Sequence, residues 1–266
     1  MTDATSAASP AVTPVTPGRA EATAETIVAE ASRAQVPLKL IGGLGCWFLI
    51  RSQGAAAQPY RRPYGDVDVI VPKRSRGKIA EMFSRAGFIP NATFNAVQGE
   101  TRLMFASADG CKVDVFVAGF AMSHPVPFPD AAFSHPSPAA RPVELLLTKL
   151  QTHACTDKDR HDVAGILALC PLGTGPGQID VGQFAAPLGG DWGLWRTVTE
   201  NLTGTLDHPL SDSGHAATVA QAVRELSDAA QRVSKSLRWK ARARIGDRIP
   251  WYETPEEPET DPRPVS

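Results

Sequence analysis

The sequence predicts an α+β fold, a small mixed β-sheet with packed helices followed by a helical C-terminal region. Three observations carry this. Short apolar runs of strand character, among them Val67 to Val71 and Lys112 to Val117, alternate with stretches of helical spacing in the first half of the chain. Asp109-Gly110 separates the runs Arg102 to Ala106 and Lys112 to Val117, which marks a hairpin. Beyond a Pro-rich stretch from Pro125 to Pro142 the composition turns helical and stays so.

Taken in order, residues 1–18 are Ala, Ser, Thr and Pro with almost no large apolar side chain. They cannot bury enough surface to offset chain entropy and read as a disordered tail. Arg19 to Ala34, rich in Ala and Glu, predicts a helix that stops before Pro37. Leu38 to Ile41 reads as a strand running directly into Gly42-Gly43, and Leu44 to Ile50 as the start of a helix. Gln53 to Pro63 is small and polar, hence a loop, and Val67 to Val71 is a buried strand ended by Pro72. Apolar residues at 79, 82, 83 and 86 fall on one helical face, with Gly87 suited to the position just past the helix end. After the hairpin, Glu144 to His153 and Asp159 to Leu169 read as two helices or one interrupted one. Ala216, Val219, Val223, Leu226, Ala230, Val233 and Leu237 form an unbroken stripe and predict one amphipathic helix of about six turns. Residues 19–142 thus form a core and 143–252 a helical domain. Residues 253–266, rich in Pro and Glu, read as a second disordered tail.

With 266 residues, 42% hydrophobic and 21% charged, the chain has the composition of a soluble globular protein. A net charge of −1 neither favours nor opposes a polyanionic partner. Cys46, Cys111, Cys155 and Cys170 are scattered without a C-x-x-C pair, which suggests free thiols rather than a zinc site. No segment approaches the roughly 18 apolar residues of a membrane span, and no basic-then-apolar leader opens the chain. A cytoplasmic protein with no membrane partner is the expectation.

Asp66-Val67-Asp68 is the most informative stretch. Carboxylates at i and i+2 on a strand project from the same face. Without a cation they repel and raise each other's pKa. Such a pair suits hard-oxygen ligation of Mg²⁺, which is held by one or two carboxylates plus substrate phosphates. Gly42-Gly43, opening a helix nearby, offers backbone N–H groups and a helix N-terminus to those phosphates. Asp114, inside the apolar run Val113 to Val117, is the third carboxylate. In a two-metal arrangement Asp66 and Asp68 hold the ions and the triphosphate. Asp114 completes the second site and can act as base on the attacking hydroxyl. The sequence therefore predicts a phosphoryl or nucleotidyl transfer site with Asp66, Asp68 and Asp114 meeting on neighbouring strands.

The runs Ile41-Gly42-Gly43-Leu44, Arg62-Pro63-Tyr64-Gly65-Asp66-Val67-Asp68-Val69 and Lys112-Val113-Asp114-Val115 resemble the nucleotidyltransferase superfamily that includes DNA polymerase β. The likeness is closest to the bacterial minimal nucleotidyltransferases, including the AbiEii type of toxin. Arg62 matches an Arg of the family pattern, whereas Tyr64 stands where the family often has Thr. Lys149, and Lys158-Asp159 with Asp162, are similar to later family positions. The resemblance covers roughly Leu38 to Leu169. It implies a nucleoside triphosphate, Mg²⁺ (two ions), and transfer of a nucleoside monophosphate to an acceptor on RNA, a protein or a small molecule. A tRNA or protein target and an antitoxin partner would follow from the toxin members. Gly43 and Asp66 stand further apart than is usual in the family, so a loop from Gln53 to Tyr60 must be accommodated.

Arg62 and Lys149 are candidate phosphate contacts, with Gly42 and Gly43 beside them; Arg61 is a weaker one. Asp159 and Asp162 read more simply as helix-start charge favoured by the dipole. The six histidines show no metal-ligand spacing, and His124 and His135, in the Pro-rich segment, are expected on the surface. Lys235 to Arg248 carries six basic side chains, with Trp239 and Trp251 as the accompanying aromatics, a composition able to track a nucleic-acid backbone and stack on bases. An inactive nucleotide-binding module and a γ-phosphate phosphotransferase are the competing readings.

Overall fold

The computed structural model describes residues 18–212 and 214–254, so both predicted tails, apart from Gly18, Glu253 and Thr254, lie outside the described residues. The chain runs α1 (Arg19–Arg33), β1 (Lys39–Ile41), α2 (Gly42–Ile50), β2 (Asp66–Val71), α3 (Arg76–Arg85), β3 (Ile89–Pro90), α4 (Ala92–Gln98), β4 (Arg102–Ala106) and β5 (Lys112–Val117). A short ribbon of β6 (Gly119–Ala121) and β7 (Pro125–Pro127) follows. The remainder is helical: α5 (Pro142–Leu150), α6 (Asp157–Leu169), α7 (Val181–Ala185), α8 (Trp192–Gly204), α9 (Ala216–Arg232) and α10 (Leu237–Ile245). The fold is α+β, as the sequence predicts.

Five strands form one mixed sheet in the order β1-β2-β5-β4-β3. The central pair, β2 and β5, is parallel, and the other neighbours are antiparallel. A parallel pair needs a long crossover, and here α3, β3, α4 and β4 supply it. The β4–β5 hairpin is symmetric about Asp109, with Met104 opposite Asp114 and Arg102 opposite Phe116. Val67, Val69 and Val71 of β2 and Val113, Val115 and Val117 of β5 are buried on one side of the sheet. The alternate positions of these two strands carry the three aspartates.

One hydrophobic core runs from Ala20 to Ala230 and takes side chains from the sheet and from the C-terminal helices alike. Pro142 occupies the first turn of α5, where a missing N–H does no harm. Thr156 and Asp159 start α6 with a reciprocal capping box. Gly87, at φ +79°, closes α3 as its spacing predicts, with the Gly87 and Phe88 N–H groups donating back to Ser84 and Phe83 carbonyls.

Several elements depart from the sequence reading. The predicted loop after α2 is instead a 3-10 stretch from Arg51 to Tyr60, broken at Gly54. Its Ala57 and Tyr60 are buried, and Tyr60 packs so closely on Gly165 of α6 that a Cβ there would lie 3.1 Å from the ring. The stripe from Ala216 to Leu237 does not make one helix. α9 ends at Arg232, Val233 is extended (ψ 138°), and α10 begins after a Ser236 cap. Packing against Gly189 explains the break: a Cβ on Gly189 would lie 2.4 Å from the Ser234 carbonyl, and Ser236 N–H donates to the Gly189 carbonyl. α4 has no buried residue, hence no apolar periodicity to announce it.

Candidate active site

Asp68 and Asp114 are direct neighbours on the parallel strands β2 and β5, and Asp66 lies two residues along β2 opposite Lys112. In-register parallel neighbours point the same way, so the three carboxylates line one face. The structure thus brings together what the sequence predicts. Asp66 is exposed, Asp68 half-buried and Asp114 only 5% exposed. Burial and the like charges of Asp66 and Asp114 push the Asp68 carboxyl up to about 7. Burial also raises Asp114 above the ordinary carboxylate range, against the opposing charge of Arg102.

The glycine pair is fitted between this row and Arg62. Gly42 opens α2 at φ +62°, and a Cβ there would sit 2.1 Å from Asp68 Oδ2. At Gly43 a Cβ would sit 2.2 Å from an Arg62 guanidinium nitrogen. Gly42 therefore requires glycine for its backbone, and a side chain at Gly43 would have to displace the Arg62 guanidinium. The inserted 3-10 stretch packs on α6 and leaves the glycine turn against Asp68.

Arg62 and Lys149, the two candidate phosphate contacts, are both engaged within the protein. Arg62 donates from Nε and Nη2 to Asp162 at 2.9 and 2.7 Å. Lys149 Nζ lies 2.9 Å from both Asp159 Oδ1 and Asp162 Oδ2. Burial opposes the Lys149 charge, but Asp162 and Asp159 outweigh it and hold the ammonium above its usual pKa. Asp159 has the helix-start role the sequence suggests, capping α6. Asp162 does not: it is 3% exposed and pairs with both cations, sharing Lys149 with Asp159. Tyr64 is buried, and its ring centre lies 4.8 Å from the Arg62 guanidinium carbon.

Sequence reasoning missed Arg102. Its Nε and Nη2 both approach Asp114 Oδ1 at 2.9 Å. Counting outward from the Asp109-Gly110 turn sets Arg102 across from Phe116, two residues along the same face from Asp114, so the hairpin carried the signal.

The donor chemistry of the row fits a hard divalent cation. The oxygens are carboxylate, they share a face, and their mutual repulsion leaves Asp68 short of positive charge. Asp66 and Asp68 are the residues that would hold it. Among the described residues, however, no three His, Cys, Asp or Glu side chains gather as a metal-holding group.

His124 is a correction. Expected on the surface, it is 4% exposed, with Nε2 2.9 Å from Thr197 Oγ1. His135 is half-buried. All four cysteines are free. In the basic segment Arg242 is spent on the carbonyls of Gly246, Ile249 and Pro250, and Lys235 on that of Ala230. Arg238, Lys240, Arg244 and Arg248 remain exposed. Among the described residues no helix is long and apolar enough to cross a membrane.

No protein-family model matches this chain, and no curated protein matches it either.

Proposed function

We propose that this chain is a Mg²⁺-dependent nucleotidyltransferase that moves a nucleoside monophosphate from a nucleoside triphosphate to an acceptor hydroxyl. The observation that carries the reading is the register of Asp68 beside Asp114, with Asp66 on the same face and Gly42 pressed against the Asp68 carboxylate. Asp66 and Asp68 would hold the cation, which when bound would supply Lewis-acid stabilisation of charge on the phosphates. The turn at Gly42-Gly43 presents backbone N–H groups at the start of α2, where phosphate oxygens are favoured. The acceptor oxygen bonds to the α-phosphorus, the bond from that phosphorus to the pyrophosphate oxygen breaks, and the acceptor proton passes to a carboxylate of the row.

The exposed cations Arg238, Lys240, Arg244 and Arg248 support an RNA acceptor over a small molecule. The motif resemblance supports a toxin whose partner is an antitoxin. The test is incubation with Mg²⁺, α-labelled NTPs and cell extract, followed by separation of RNA, protein and small molecules. Label should enter one fraction and should be lost in Asp68→Asn. Label from γ- but not α-labelled ATP would instead indicate a phosphotransferase. Growth arrest on induction of the wild type, absent for Asp68→Asn, tests the toxin role.

A second reading, a nucleotide-binding module without turnover, draws on the engagement of Arg62 and Lys149 by Asp162 and Asp159. Mg²⁺-dependent NTP binding without label transfer in any fraction would select it.

A further inference from the structure

From the strand register and the ion pair at Asp114 we infer that the guanidinium of Arg102 takes the place of a second metal ion, so that the row binds one divalent cation through Asp66 and Asp68. This inference rests on the nucleotidyl-transfer reading of the same carboxylates.

Three aspartates on one face carry three negative charges, and one divalent cation offsets two of them, leaving one to be matched. Lys149 and Arg62 cannot do this locally, because Asp162 and Asp159 hold them. Arg102 can. It stands on β4, the strand on the far side of β5 from β2, and two of its nitrogens converge on one oxygen of Asp114. Its guanidinium carbon lies 5.0 Å from the ring centre of Phe116, its cross-strand partner, and 5.7 Å from that of Phe94 on α4. Aromatic faces of this kind favour a fixed cation. The pair is largely sequestered, with side-chain exposures of 22% for Arg102 and 7% for Asp114.

A guanidinium keeps its charge at any working pH, and its planar fork gives it a fixed direction. Asp114 so held is a poor ligand for a mobile ion, since binding one would require giving up a sequestered charge-assisted pair. Asp66 and Asp68 carry no such partner among the ion pairs of the described residues. In this division Asp114 is committed to Arg102, and Asp66 and Asp68 are left for the incoming ion. Arg102 is then a positioning residue for Asp114 and a permanent counter-charge of the site.

The experiment is a count of bound Mn²⁺ per chain by electron paramagnetic resonance titration, without and with a non-hydrolysable ATP analogue. The wild type should bind one ion, and Arg102→Lys should also bind one. Arg102→Ala should bind two, and Arg102→Ala/Asp114→Asn should return to one. Two ions on the wild type would overturn the inference while leaving the nucleotidyl-transfer reading standing. A single ion on folded Arg102→Ala would overturn it as well, because Asp114 would then not be masked by the arginine. No ion on the wild type, even with the analogue, would overturn the nucleotidyl-transfer reading and this inference with it. The wild-type count decides between one ion and two even if Arg102→Ala fails to fold.

Discussion

Arg62 and Asp162, a hundred residues apart in sequence, form a two-point ion pair, Nε to Oδ1 at 2.9 Å and Nη2 to Oδ2 at 2.7 Å. Lys149 approaches the same Oδ2 at 2.9 Å. One carboxylate on α6 therefore bridges the residue that leads into β2 and the one near the end of α5, with Asp159 supplying the second negative charge. The Arg62 guanidinium so fixed fills the space where a Cβ of Gly43 would be. The ion cluster and the glycine turn are one construction.

Removing Asp162 should be severe. Asp162→Ala leaves Lys149 and Arg62 in a largely buried site with a shared partner gone, and breaking such a pair from one side costs about 3–5 kcal/mol. Urea unfolding should show that loss, whereas Asp157→Ala, an exposed partner of Arg160 on the same helix, should change stability by less than about 0.5 kcal/mol. Equal effects from the two substitutions would contradict the central role of Asp162.

Much of the site is written in local pattern. The alternation of Asp66, Val67 and Asp68 fixes a shared face through strand geometry alone, and Gly42 follows a strand end where a turn into a helix is needed. What local pattern does not encode is which strands become neighbours. β2 pairs with β5 across α3, β3, α4 and β4, so the juxtaposition of Asp68 with Asp114 depends on the long crossover. The destination of charged side chains is equally non-local. Lys149 sits in an apolar helix end in sequence, and only the docking of α6 against α5 shows that its charge belongs to Asp159 and Asp162. The stripe through Val233 has the right spacing for a continuing helix, yet the contact with Gly189 ends it. Tertiary packing outweighs propensity there.

Gly42→Ala should fail for two separable reasons. Its φ of +62° is strained for alanine, and the new methyl would meet Asp68 Oδ2 at 2.1 Å. Together these should destabilise the protein by about 2–4 kcal/mol. In an Asp68→Ala background the oxygen is gone and the nearest remaining atom, Cβ, is 3.1 Å away. The penalty should then fall to about 1 kcal/mol, a coupling measurable by a double-mutant cycle of denaturation midpoints. Additive effects would mean that Gly42 does not touch the row in solution.

The raised Asp68 carboxyl predicts a specific pH dependence. Its folded pKa of about 7 lies above its ordinary value of 3.8, so between those values the folded state holds more protons than the unfolded chain. Stability from this residue is full below pH 4 and declines as pH rises towards 7. Asp68→Asn removes the decline. The difference in unfolding free energy between variant and wild type should therefore grow by about 1–3 kcal/mol from pH 4 to pH 7.5, discounted for the partial exposure of the side chain. Millimolar Mg²⁺ at pH 7.5 should narrow that gap by stabilising the wild type alone. A gap that is flat with pH would show that Asp68 titrates normally.

Tyr64 offers the sharpest contrast between resemblance and packing. Threonine is frequent at this point in the proteins whose motif this stretch resembles, yet here Tyr64 is 7% exposed, with its ring centre 4.8 Å from the Arg62 guanidinium carbon and a ring carbon that would be 3.3 Å from a Cβ on Gly43. Tyr64→Thr should open a cavity and remove the aromatic face under Arg62, at a loss of about 2–4 kcal/mol. Tyr64→Phe retains ring volume and face, and should stay within about 1 kcal/mol of the wild type. Chemical denaturation of the three proteins in parallel separates ring from hydroxyl. A threonine variant as stable as the wild type would mean that Arg62 is held by Asp162 alone and that the ring is dispensable to the glycine turn.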